Sequence, residues 1–171
     1  GARKLLAEAG YAKGFKITLN VPVGRPTRER AAVAIQQMLR PVGIEVALER
    51  VPYSRWGATV AGKAPFYMDG YLSRPTIDTA TYPWYHSAGS WNPRMWNFQS
   101  ERVDAVLDKA RLATADGERK ALYQQFQRLA VEDAPGAVMY VINFATAYRP
   151  ALKGYRTHPY SWMDLRQAHF E

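Results

Sequence analysis

The feature that most constrains the fold is a hydrophobic repeat that switches between two periods along the first third of the chain. Residues 16–23 (KITLNVPV) alternate, with Ile17, Leu19, Val21 and Val23 on one face, which is the two-residue repeat of a strand. The repeat then lengthens: Ala31, Ile35, Met38, Leu39 and Val42 recur at helical spacing. Thr27 is placed to cap this helix, and Glu29 falls in its first turn. Pro41 and Gly43 close it, and Ile44, Val46 and Leu48 resume the alternation against Glu45, Ala47 and Glu49. Ser54 is placed to cap a short helix ended by Gly62, and residues 66–72 read as a third strand. The order β-α-β-α-β predicts an α/β fold, with a mostly parallel central sheet flanked by helices and right-handed crossovers. In such sheets ligands lie beyond the carboxyl ends of the strands, here residues 21–27, 51–54 and 71–78.

Residues 73–99 carry no clear period, so a long irregular segment is expected. It holds Tyr82, Trp84, Tyr85, Trp91, Trp96 and Phe98, and a stretch this aromatic packs on something or binds something. Two helices follow: one capped by Ser100 with Val103, Val106, Leu107 and Ala110 inside, one capped by Asp116 with Leu122, Phe126, Leu129 and Ala130 inside. Pro135 and Gly136 stop the second. Residues 137–148 are apolar on both faces, as a central strand would be. The first helix, over residues 2–10 with Gly10 at its C′ position, starts with no capping residue and no leader before it. That start is expected of a fragment of a longer chain.

Charge and composition narrow the function. The 171 residues suffice for one domain with its own core. The absence of cysteine excludes disulfides, thiolate catalysis and cysteine-ligated metal centres. A net charge of +8 admits acidic ligands, anionic surfaces or nucleic acid. The basic residues are dispersed rather than blocked, so no nucleic acid is expected as a partner, and a basic nucleic-acid module stands only as an alternative.

Chemistry of catalysis has few footholds. His86, His158 and His169 form no metal-binding pair, and no nucleophile elbow, phosphate loop or dinucleotide fingerprint occurs. A hydrolase would require His86 to face Ser87, Ser90 or Ser161. No catalytic residue, metal or cofactor is therefore expected. Asp104 and Asp108, with Lys109 and Arg111 close by, read as a charged outer helix face. Tyr71, Tyr82, Trp84 and Trp96 follow the third strand, and aromatic plates with a few polar groups line small-molecule clefts. Arg74 and Asp78 share that segment; they suit a ligand carboxylate and a ligand amine, or each other as an ion pair.

Six stretches, in order, resemble the C-terminal lobe of the family 5 extracellular solute-binding proteins. They are ARKLLAEAGYAKGFKITL at 2–19, AIQQMLRPVGIEVALERV at 34–51, FYMDGY at 66–71, FQSERVDAVLDKA at 98–110, ERKALYQQFQRLAVEDAPGAVMYV at 118–141 and ALKGY at 151–155. The resemblance spans the chain. It implies a periplasmic-binding-protein-like lobe, residues 1–171 as a single jaw of a two-lobed protein that closes on its ligand. It also implies a bacterial ABC importer, with a membrane permease and the N-terminal lobe of the same protein as partners. The location implied is the periplasm, or a lipid anchor outside the cytoplasmic membrane. Peptides or a related small polar solute are the implied cargo, with Tyr71, Arg74, Asp78, Tyr82 and Trp96 as ligand-binding residues. Peptide-binding members place an acid after the third strand, where Asp78 lies. The stretch SRPTIDTATYPWYH departs from the Gly/Asp-rich pattern common there.

Overall fold

A computed structural model describes residues 1–143, 145–158, 160 and 162–171. The chain divides into two compact units: residues 1–70 with 90–97, and residues 71–89 with 98–171.

The first unit is built on the alternating segments. Helix α1 (Ala2–Glu8) ends at Gly10, whose φ of +87° is the left-handed turn anticipated for a C′ glycine. Strand β1 (Phe15–Val23) pairs in parallel with β2 (Ile44–Pro52), in a register running from Phe15 opposite Ile44 to Val23 opposite Pro52. Helix α2 (Pro26–Leu39) makes the crossover and packs on both strands. Leu19, Val21, Ala32, Val46 and Met68 are sealed between them, with Ile35, Leu39 and Leu48 against that cluster. Parallel strands require such a covering helix, because their connection must recross the sheet. Gly14 has no alternative residue: its φ is +74°, and a Cβ there would lie 1.8 Å from the Gly43 carbonyl oxygen.

Helix α2 begins differently from expectation. Arg25 is its N-cap and Pro26 its first residue, so Thr27 lies inside the first turn. Proline suits that position because its missing N–H would be orphaned anyway. Glu29, the fourth residue of the helix, reaches back to accept from the N–H of Gly24, just before the cap, at 3.1 Å. Helix α3 (Tyr53–Thr59) likewise starts before Ser54, after Pro52. Trp56, Val51, Val60 and Ala61 form a second small core there.

The third strand shrinks to one parallel bridge, Asn20 to Tyr67. Asn20 donates to the Phe66 carbonyl and receives from the Met68 N–H. Pro65 before this point has no N–H to offer, and Asp69 beyond it takes the Gly70 N–H for its own carboxylate at 2.8 Å. Both ends of the ladder are thereby cut.

The second unit is helical. Residues 73–99, expected to be irregular, contain α4 (Ile77–Tyr85) in this unit and α5 (Asn92–Met95) in the first. A reciprocal box between Thr76 and Thr79 starts α4. Helix α6 (Glu101–Leu112) has Ser100 as its cap, as anticipated, accepting from the Val103 N–H. Helix α7 (Asp116–Asp133) starts after Ala115, leaving Asp116 in the first turn instead of at the cap. Ser100 also donates to Asp133 at 2.7 Å, and Arg102 pairs with the same carboxylate, pinning the start of α6 to the end of α7. Both contacts, Ser100 first, hold the Asp133 carboxyl below its ordinary range. Val103, Leu107, Ala110, Tyr123 and Phe126 are buried.

The central strand expected over residues 137–148 is not present among the described residues, and Phe144 lies outside them. Val138 and Val141 are 70% and 85% exposed. Ala134 turns left-handed at the end of α7 and Pro135 follows. The apolar run then continues with no described strand to pair with, and an unpaired backbone earns no ladder hydrogen bonds. The tail forms two short antiparallel pairs, β3 (Leu152–Lys153) with β6 (His169–Phe170) and β4 (Arg156–Thr157) with β5 (Met163–Asp164).

Leu19→Ala is expected to cost about 2–5 kcal/mol, since the side chain is wholly enclosed. Val141→Asp should change stability by no more than about 0.5 kcal/mol, the ordinary range for a solvated position. Urea unfolding of the two variants checks both; a large loss from Val141→Asp would mean the segment is buried after all.

Candidate ligand-binding face on helix α4

The residues after the bridge at Tyr67 gather along α4. Tyr71 stacks on Trp84, with ring centroids 4.7 Å apart and planes 26° from parallel. The guanidinium of Arg74 lies 5.9 Å from the same Trp84 ring. Its Nη1 donates to the carbonyl oxygens of Leu72 at 3.0 Å and Ser73 at 3.4 Å, which fixes the arginine against its own turn. Trp84 is buried while Tyr71 remains 39% exposed. A solvent-facing aromatic plate with a cation beside it can hold an apolar group and an anionic one together.

Behind this plate, Tyr85 is hydrogen-bonded to Tyr71 and meets Phe126 edge-on at 5.1 Å. Burial, followed by the Tyr71 hydroxyl, pushes the Tyr85 phenol up to about 12.

One turn further, Asp78 pairs with Arg111 of α6 at 3.2 Å, and the Arg111 guanidinium sits 4.0 Å from the centre of the Tyr82 ring. Tyr82 in turn stacks on His86 at 4.2 Å. His86 is buried; its Nδ1 accepts from the Ala88 N–H at 2.9 Å, and its Nε2 lies 3.3 Å from Asp108. Asp104 accepts the Ser87 N–H at 2.9 Å. Burial and then the Asp78 charge raise the Tyr123 phenol above its ordinary value.

Of the five residues expected to bind ligand, Tyr71, Arg74, Asp78 and Tyr82 therefore lie on or beside α4. Trp96 falls in the other unit, as the C-cap of α5. Arg74 and Asp78 do not pair with each other; the partner of Asp78 is Arg111. Asp104 and Asp108 do not form a merely solvated face, because both are turned to the loop around His86. Their spacing with Arg111, four and then three residues, puts all three on one stripe of α6, and that periodicity was the available signal. His86 is held by carboxylates, a backbone N–H and Tyr82, and Ser161 lies outside the described residues. Among the described residues no group of three or more His, Asp or Glu is arranged to hold a metal ion, and no helix is long and apolar enough to cross a membrane.

The first unit is an α/β unit with a helix-covered parallel pair, and the second carries the aromatic and charged residues of α4. Residues 1–93 match the model of the bacterial extracellular solute-binding proteins, family 5 Middle, and the chain belongs to that family. The glutathione-binding protein GsiB of Pectobacterium atrosepticum is 30% identical over 98% of this chain and 34% of its own length. The chain thus spans about a third of the length of the curated relatives it matches. Helicobacter pylori DppA, solved in complex with the peptide STSA, is 28% identical with a TM-score of 0.69, over 78% of this chain and 27% of that one. A dipeptide-binding protein from Pseudoalteromonas sp. SM9913, solved with Met-Leu, shares the fold at 21% identity and a TM-score of 0.77, over 99% of this chain and 35% of that one.

A double-mutant cycle on Asp78→Asn and Arg111→Gln should give a coupling of about 0.2–1 kcal/mol, because both side chains are partly solvated. The raised Tyr85 pKa contributes stability that is complete below pH 10 and is lost as pH rises toward 12. Tyr85→Phe should flatten that part of the stability–pH curve, measured by denaturant unfolding against pH; an unchanged slope would show that Tyr85 ionises normally.

Proposed function

We propose that this chain is one lobe of a two-lobed solute-binding protein that delivers peptides, or a related small polar solute, to a bacterial ABC importer. Both compact units belong to that lobe in this reading. The observation that carries it is the Tyr71–Trp84 plate with Arg74 beside it, in a chain of this family. Tyr71 would lie against a ligand side chain and Arg74 would meet a ligand carboxylate. Asp78, half-exposed beside Arg111, would take the ligand's cationic end, and Tyr82 would close that side. The solutes in the names and titles of the relatives, glutathione, STSA and Met-Leu, fit a site with both charges and an aromatic floor.

The second lobe would bury the other side of the ligand, and closure about a hinge would trap it. The protein would bind and hand over its solute without transforming it. It would work in the periplasm, or anchored by lipid outside the cytoplasmic membrane, with the importer's permease as its partner.

Native mass spectrometry of the full-length protein, purified without denaturation, is expected to reveal a co-purified peptide-like solute. Calorimetry with that solute should show Tyr71→Ala and Arg74→Gln binding about tenfold or more weakly, with the apo melting temperature little changed. Unaltered affinity in both variants would remove α4 from the binding site.

A further inference from the structure

The positive charge of this protein is not shared evenly. Residues 1–70 and 90–97 hold twelve Lys and Arg against five Asp and Glu, a net of +7, whereas the rest of the chain holds eleven against ten. Within the first unit the arginines crowd one end. Arg25, Arg28 and Arg30 stand at the start of α2, Arg50 at the end of β2 and Arg55 at the start of α3. This is the carboxyl edge of the β1–β2 pair. Arg28 is neutralised by Asp69, 3.3 Å away and itself held by the Trp56 indole N–H. Among the described residues the other four have no carboxylate within 4.0 Å. Arg25 is laid over the Tyr53 ring at 4.4 Å, which orders the guanidinium without quenching its charge.

This placement works against stability. The amino end of a helix carries partial positive charge and favours acids, so cations there repel it. Helix α2 nevertheless has arginine as its N-cap, with no side-chain cap bond to its free N–H groups. The single acid of its first turn, Glu29, is engaged with the Gly24 N–H. A sequence that breaks a local rule so consistently at one edge points to a ligand that repairs it. Arg30 and Arg50 also line an open depression of about 320 Å³ together with Pro26, Val33 and Glu29, whose carboxylate is turned back to the Gly24 N–H. That volume suits a compact molecule. The excess of charge belongs to one compact unit, the second being nearly neutral, whereas a long polyanion is held through many phosphate contacts along its length.

We propose that the carboxyl edge of β1–β2 is an anion-binding surface that selects solutes carrying two or more carboxylates, with Arg25, Arg30, Arg50 and Arg55 as its cations. This rests on the solute-binding reading above and names the class of cargo: acidic peptides. Bound carboxylates would accept from the guanidinium groups and complement the amino end of α2.

The test is calorimetry on the full-length protein with Ala-Ala-Ala, with Glu-Ala-Glu, and with a 20-residue single-stranded oligonucleotide as competitor. Glu-Ala-Glu is expected to bind about tenfold or more tightly than Ala-Ala-Ala at low salt. The double variant Arg30→Gln/Arg50→Gln should bring that ratio close to one, with an apo melting temperature that holds or rises. Equal binding of both peptides, with a ratio the double variant does not move, overturns the anion surface and leaves the solute-binding reading intact. Failure of both peptides to bind overturns the acidic-peptide proposal and the peptide form of the solute-binding reading together. Displacement of Glu-Ala-Glu by sub-stoichiometric oligonucleotide would assign the edge to a polyanion and overturn the proposal as well.

Discussion

The packing of α2 across the parallel pair β1–β2 is the interaction on which the first unit depends. A two-stranded parallel ladder has two open edges and would not persist alone. It persists because Leu19, Val21, Ala32 and Val46 exclude water together. The crossover also decides where chemistry can occur. It brings the start of α2, the end of β2 and the start of α3 to one edge, and the arginines follow from that topology.

In the second unit the organising constraint is electrostatic as well as apolar. Three side chains of α6, Asp104, Asp108 and Arg111, all meet α4 or the loop that follows it, through Asp78, Tyr82, His86 and Ser87. The geometry holds α4 with its Tyr71–Trp84 side presented and its Tyr85 side sunk against Phe126. A face made this way is stiff, since the aromatic pair is stacked and the arginine is tied to its own backbone.

The elements with strong periodicity were readable from residues alone. β1, α2, β2, α6 and α7 each show an apolar stripe at their own period; in the strands only Pro22 and Val51 are buried off that stripe, so the pattern survives. Boundaries moved where proline intervened, as at Pro26 and Pro52. Helix α4 was hidden because Trp84, Tyr85 and His86 are buried in succession, which erases any stripe. The Thr76–Thr79 box was its one local sign. Residues 137–148 misled in the opposite sense: their apolar run encodes burial that no described neighbour supplies.

From its sequence the chain declares an α/β pattern, a cysteine-free chemistry, a basic balance and the aromatic segment that follows the third extended piece. Local rules govern each of those properties, so they need no knowledge of neighbours. Which groups meet is a different matter. That Asp78 faces Arg111 and not Arg74, that Asp104 and Asp108 turn to the loop around His86, and that the free arginines converge on one strand edge were decided by tertiary packing. Those contacts join residues far apart in the chain, and only the crossing of helices and strands brings them within reach.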